Sequence, residues 1–190
     1  MAAARVWQMT SQSWVGGWYI VISWRPIDRL DAPRWQRLLQ ALDAVAASLA
    51  VSVCWMAFHQ HQDGPLLDDL VEQKLVPAKL LARSKTVIPR SLDQVFELVS
   101  TARLVLPMRL HALILARLVG CPMAALSYDP KVDAAAAMAQ VPCARLNALP
   151  STEQLSAQWM AEVDQEADRT VIQRIQSEAS AHGELLRRWI

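Results

Sequence analysis

The chain has 190 residues, 53% hydrophobic and 19% charged. That composition excludes an intrinsically disordered segment and suits one domain, or one half of a two-domain enzyme. A net charge of +1 excludes a global field that draws the protein to nucleic acid or anionic lipid, so any anion must be held by a local arrangement of cations.

Residues 1–17 carry no clean periodicity and read as a loose leader. The pattern starts at Trp18, where WYIVISW is dense in β-branched and aromatic side chains and reads as a buried strand stopped by Pro26. Asp31 is placed to cap a helix with Pro33 in its first turn, and WQRLLQALDAVAASL follows a helical period. A second strand is expected in VSVCWMAF, then a polar loop, HQHQDGP, and a helical stretch from Leu66 to about Lys74. Lys85 to Ile88 is a third strand ended by Pro89, and Ser91 caps LDQVFELVSTA. Leu104 to Leu106 is a fourth strand, followed by a helix from Arg109 to Val119 that stops at Gly120. Met123 to Ser127 is a fifth strand, Pro130 opens a helix to about Ala139, and Ala144 to Leu146 is a short sixth strand.

Strands alternating with helices of this length imply βαβ units, hence a parallel sheet with right-handed crossovers and helices on both faces. The expected fold class is α/β, a doubly wound, mainly parallel sheet over residues 18–150 in strand order 3-2-1-4-5-6. After Pro150 the character changes. Residues 151–190 read as a helical extension whose Leu155, Trp159, Val163, Val171, Ile175, Leu186 and Trp189 form an apolar face meant for another surface. Cys54, Cys121 and Cys143 fit no zinc or CxxC pattern and suit a reducing compartment. No apolar run reaches the roughly 18 to 20 residues that span a bilayer, and the run at Tyr19 does not have the flanks of an export signal, so the expected location is cytoplasmic.

In an open parallel sheet, ligands bind beyond the carboxyl ends of the strands, near the switch in strand order. The loops after the strands carry Arg25; His59, His61 and Asp63; Arg109 and His111; and Tyr128, Asp129 and Lys131. With strands one, four and five adjacent, Arg25, Arg109, His111 and Lys131 are expected to converge on one crevice beside two helix N-termini, an arrangement suited to phosphate or carboxylate. Arg25 is otherwise a solvated loop cation, His111 a structural histidine, Lys131 an exposed first-turn residue, and Asp129 either a ligand contact or the N-cap of the Pro130 helix. His59 and His61 find no third strong ligand nearby, so no metal site is expected. The absence of GxGxxG and Walker loops removes the main support for a dinucleotide or nucleoside triphosphate.

At LVLPMRLHALILARLVGCPMAALSYDPKV the sequence resembles the polysaccharide pyruvyl transferase family, which pairs a strand–SMRLH–helix element with a downstream G-x-P-x-x-x-x-S-Y-D-P-K-V. Here the matching residues are Met108, Arg109, Leu110 and His111, then Gly120, Pro122, Ser127, Tyr128, Asp129, Pro130, Lys131 and Val132. Trp24-Arg25-Pro26 and the segment from Phe58 to Asp63 also resemble family segments. The resemblance implies the Rossmann-like, donor-side half of a GT-B-like enzyme of cell-surface polysaccharide biosynthesis. Such an enzyme transfers a pyruvyl group from phosphoenolpyruvate to a sugar diol as a cyclic ketal. His111 and Arg109 are then the catalytic pair, and Arg25, Arg109, Lys131, Tyr128 and Asp129 the substrate-binding residues, with phosphoenolpyruvate as donor substrate and no cofactor. Two departures stand out. Pro107 replaces the family's serine, and the acceptor half is not represented, so the expected partners are a sugar or polysaccharide acceptor and either a separate N-terminal lobe or a second copy. The alternatives are a non-catalytic anion-binding or assembly module, and half of a GT-B glycosyltransferase using a nucleotide sugar.

Overall fold

The computed structural model describes residues 18–28, 30–165 and 168–177. The leader at 1–17 and the tail positions Leu186 and Trp189 lie outside the described residues. Six strands, β1 (Tyr19–Ser23), β2 (Ser52–Met56), β3 (Ser84–Val87), β4 (Leu104–Pro107), β5 (Ala125–Ser127) and β6 (Cys143–Arg145), all pair in parallel. β1 lies at the centre because it is buried on both faces from end to end. The order β3-β2-β1-β4 continues through one bridge into the β5-β6 pair, which is the doubly wound order taken above.

The join between β4 and β5 is a single parallel bridge, Val105 to Met123. Its cause lies in the sequence. The Val105 N–H donates to Pro122 O and the Met108 N–H donates to Ser23 O. Backbone groups along a strand alternate between neighbours, so the amide position of residue 107 faces β5. Pro107 has no N–H to give, and the next rung is lost.

Helices cover both faces. α1 (Ala32–Ser48) starts at Asp31, whose carboxylate accepts from the Arg34 N–H at 3.0 Å, as the sequence predicts. α5 (Leu92–Ser100) starts at Ser91 in the same way. Ile20, Ile22 and Trp24 of the first strand segment point to one layer, with α1 and Trp55. Tyr19 and Val21 point to the other, with α5 (Leu92–Ser100), α6 (Leu110–Leu118) and α7 (Pro130–Ala139).

The chain departs from expectation in two places. The polar loop HQHQDGP contains a short helix, α2 (Gln60–Asp63), because the Asp63 carboxylate accepts from the His59 N–H at 3.0 Å and closes the turn. α3 (Leu66–Glu72) follows, and a further helix, α4 (Ala78–Ala82), precedes β3. The second difference is at α8 (Thr152–Val163), which opens with a capping box between Ser151 and Gln154. Its apolar face is not kept for another surface. Leu155, Trp159 and Val163 are buried against α1 in this domain's own core, and Val171 of the helical stretch at 169–177 is buried as well. The polar groups of α1 help to hold the connection, since Arg37 Nη1 donates to Leu149 O at 2.8 Å.

Trp24 is the hub of this layer. Its ring lies 6.1 Å from Trp35 on α1, 5.9 Å and edge-on from Trp55 on β2, and 6.4 Å from Trp159 on α8. Its Nε1 donates to Leu106 O at 2.9 Å. Truncating Trp159, fully buried at the outer side of this cluster, removes the wedge that binds α8 to α1. Trp159→Ala is expected to lower unfolding free energy by about 3 to 5 kcal/mol, read from urea denaturation followed by circular dichroism. A change below about 1 kcal/mol would mean that α8 is not part of the cooperative core.

Candidate functional site

The carboxyl edge of the sheet presents the residues that follow β1, β2, β4 and β5. Arg25, just past β1, is half-buried and reaches over to Tyr128, just past β5. Its Nη1 donates to Tyr128 Oη at 3.2 Å, and its guanidinium carbon lies 5.4 Å from the centre of the tyrosine ring. A cation on an aromatic face keeps its charge while gaining order. The Arg25 Nε–H is buried without a hydrogen-bond partner among the described residues, as is the hydroxyl of Ser23 at the end of β1. Buried donors are ordinarily satisfied, so this guanidinium N–H is an exception at the end of the strand.

Arg109 does not join Arg25 in that contact. It is the N-cap residue of α6, with extended backbone and no side-chain cap. Its Nε donates to Asp63 Oδ2 at 3.2 Å, its Nη2 donates to Asp63 Oδ1, and its Nη2 also donates to Gln62 Oε1 at 3.2 Å. The pair is largely dry, the side chain of Arg109 being 11% exposed and that of Asp63 1%. Of the four side chains expected in one crevice, Arg25 and Arg109 are each braced by a partner on this edge. Arg25 couples the β1 and β5 loops, and Arg109 couples the β4 loop to α2 beyond β2. Sequence reading placed Asp63 at a strand end but gave it no role. The available signal was a lone carboxylate among polar residues on the same edge as the cations.

His111 lies in the first turn of α6 and is exposed. Since no side chain caps α6, its first-turn amides remain open toward this edge, with the positive end of the helix dipole behind them. α7 differs. Asp129 Oδ1 accepts from the Lys131 N–H at 2.8 Å, and the Ser127 hydroxyl donates to Asp129 O at 3.0 Å. Asp129 thus acts as the N-cap, and a carboxylate already occupies the α7 N-terminus. Lys131 is exposed in that first turn.

A cavity of about 400 Å³ lies at the opposite, amino edge, lined in part by Arg117, Cys121, Gln140, Glu162 and Asp168. Of the motif residues Pro122 lines it, while Arg109, His111 and Lys131 do not. Burial lowers the Arg117 pKa, against the opposing pull of Asp168, and burial raises that of Glu162. Arg117 sits in the last turn of α6, where the helix presents carbonyls and negative potential. With two carboxylates in its wall as well, the cavity suits a small anion less than the carboxyl edge does. Burial also pushes the Cys121 thiol up to about 12, so it is a poor nucleophile. Among the described residues no group of three His, Cys, Asp or Glu side chains is placed to hold a metal ion, and no helix is long and apolar enough to cross a membrane.

The family model for polysaccharide pyruvyl transferase matches residues 17–130. Among solved structures, the chain is similar to a putative UDP-N-acetylglucosamine 2-epimerase from Listeria monocytogenes. The TM-score is 0.58 at 12% identity, covering 94% of this chain and 50% of that one. It is also similar to the UDP-GlcNAc 2-epimerase of Methanocaldococcus jannaschii in complex with UDP-GlcNAc and UDP. There the TM-score is 0.58 at 10% identity, covering 86% of this chain and 45% of that one. The chain spans about half the length of these structures, and at such identities the likeness speaks for the fold alone: a Rossmann-like half of the GT-B kind with a C-terminal helix. No curated protein matches the sequence.

The two roles weighed for Asp129 separate experimentally. Asp129→Ala is expected to cost about 1 kcal/mol of stability through loss of the cap, and Asp129→Ser to recover most of it. Thermal unfolding of the three proteins provides the comparison. Unchanged stability in the alanine variant would remove the capping role.

Proposed function

The chain belongs to the polysaccharide pyruvyl transferase family, and on that footing we propose that it is the donor-binding half of an enzyme that moves a pyruvyl group from phosphoenolpyruvate to a sugar diol. The observation that carries the reading is positional. The family-motif residues Arg109 and His111 stand at the open amino end of α6, on the same sheet edge as the half-buried Arg25 with its unpaired Nε–H. Phosphoenolpyruvate carries a phosphate and a carboxylate, and the edge offers Arg25, Arg109 and Lys131 to them.

The chemistry assigns a job to each group. Protonation of the enol CH2 carbon turns it into a methyl group and leaves the adjacent carbon electrophilic. One sugar hydroxyl adds to that carbon and gives up its proton. The carbon–oxygen bond to phosphate then breaks, and phosphate leaves with the bonding electrons. The second hydroxyl adds and closes the ketal. Of the two hydroxyl protons, one in effect replaces the proton given to the methyl group and the other leaves on hydrogen phosphate, so atoms and charge balance. His111, exposed at the helix start, is the proton donor or a phosphate ligand that assists departure. Arg25 and Arg109 hold the anionic groups, and Lys131 neutralises charge as phosphate departs. Tyr128 orients Arg25, and Asp129 orders the turn that carries Lys131. The acceptor sugar is met by a second lobe, whether on another chain or on another part of a longer one.

Calorimetry with phosphoenolpyruvate tests the reading. Arg109→Ala is expected to weaken binding by about 1.5 to 3 kcal/mol, the range of hydrogen bonds to charged groups, and Arg109→Lys to recover only part of it. His111→Ala should reduce turnover more than binding if it gives the proton, and both alike if it is a phosphate ligand. Equal affinity in all four proteins would remove the donor site from this edge. Binding of uridine nucleotides in place of phosphoenolpyruvate would favour the glycosyltransferase alternative, and binding without turnover on any diol, with an acceptor lobe supplied, would favour the non-catalytic module.

A further inference from the structure

We infer that Asp63, assisted by Gln62, is the positioning residue for Arg109, and that it decides which donors of that arginine reach an anion; this deepens the donor-site reading and rests on it. A guanidinium has five N–H donors in one plane. In this structure the Nε donor and one Nη2 donor go to the two oxygens of Asp63, and Nη2 also serves Gln62 Oε1. Only Nη1 is without a hydrogen bond to the described residues. Arg109 therefore cannot offer a ligand the side-on fork that a free arginine would. It presents one nitrogen, held in a fixed plane.

The brace that fixes it is itself held in place. Asp63 is buried, and its Oδ2 is also held by the His59 N–H at 3.0 Å, so the carboxylate is fixed to the backbone at the start of α2. α2 follows β2, and Arg109 follows β4, so the contact spans the end of β1 between them. It keeps a long, flexible side chain from sampling rotamers at the edge where a ligand arrives, and this is the usual advantage of a preorganised group. It also sets the charge. Arg25, Arg109 and Lys131 against Asp63 and Asp129 leave one net positive charge at the edge, so orientation has to supply what bulk attraction does not.

The test is a double-mutant cycle on the whole chain, reading phosphoenolpyruvate affinity by calorimetry and stability by thermal unfolding. Asp63→Asn keeps the size and one acceptor but loses the charge, and should raise the Kd about tenfold or more, as expected when a binding group is misplaced by a fraction of an ångström to an ångström. In an Arg109→Ala background, the same Asp63→Asn change should leave the Kd unmoved, since nothing remains to be positioned. A purely structural Asp63 would weaken binding equally in both backgrounds, and that result overturns the inference. So does an unchanged Kd on Asp63→Asn in the otherwise native chain. If Asp63→Asn does not fold, Asp63→Glu takes its place, keeping the charge while displacing the guanidinium. If the native chain fails to bind phosphoenolpyruvate, the donor reading falls, and the same cycle run with inorganic phosphate decides the role of Asp63. Failure to bind phosphate as well means that Arg109 holds no anion, and the inference falls with it.

Discussion

The hydrogen bond from the Trp24 indole to Leu106 O fixes the relation on which the site depends. It ties the outgoing end of β1 to the outgoing end of β4, where the two strands already run in register from Ile20 with Leu104 to Ser23 with Pro107. Arg25 is the next residue on one side, and Arg109 lies two past Pro107 on the other. The indole is also the meeting point of α1, β2 and α8, through Trp35, Trp55 and Trp159. The layer that stabilises the domain and the edge that carries the cations thus share one side chain. A polar anchor inside an aromatic cluster specifies an arrangement that apolar packing alone would leave freer to shift.

Given that frame, electrostatics explains why the carboxyl edge differs from the amino edge. Helices leave each strand with their N-termini at the carboxyl edge and return with their C-termini at the amino edge, so the two edges carry opposite ends of the same dipoles. At the carboxyl edge the sequence adds arginines, a lysine and the uncapped start of α6. At the amino edge it adds Glu162 and Asp168 around a cavity whose buried cation, Arg117, forms no ion pair with either. Cavity volume alone points to the amino edge. The direction of the chain in a parallel sheet points to the other.

The parallel sheet was legible because strand and helix alternate without interruption, whereas the strand order was the commonest one for a doubly wound sheet and not something the alternation itself encodes. The caps at Asp31 and Ser91 were legible for a local reason, each being a short polar side chain just ahead of a helical period, and the cap at Asp129 was one of two readings that its sequence left open. Asp63 was not. Its role is set by Arg109, 46 residues away in sequence and separated in the sheet by β1, and no local pattern encodes such a partner. The apolar face of α8 was legible as a face but not as to what it meets. Period 3.6 identifies the stripe, while only the tertiary fold brings Trp159 to Trp24. Topology put the cations on one edge, but it did not reveal the tyrosine and the carboxylate that brace two of them.

Pro107 connects these points. It faces β5 without an N–H, and the sheet is joined there by one bridge in place of a ladder. On the other side its register partner is Ser23, and side chains of register partners in neighbouring parallel strands lie on the same face. A pyrrolidine ring offers the Ser23 hydroxyl neither donor nor acceptor, in keeping with that hydroxyl being buried and unpaired. In the family pattern the position is a serine, which could both extend the ladder and satisfy Ser23. The substitution therefore falls at the one place where β1, β4 and β5 end together, between the residue that holds Tyr128 and the residue held by Asp63. Strand pairing is weakest between β4 and β5, and there the Arg25–Tyr128 contact sets the spacing of the β1 and β5 loops, while the Arg109–Asp63 contact links the β4 loop to α2 across the well-paired end of β1.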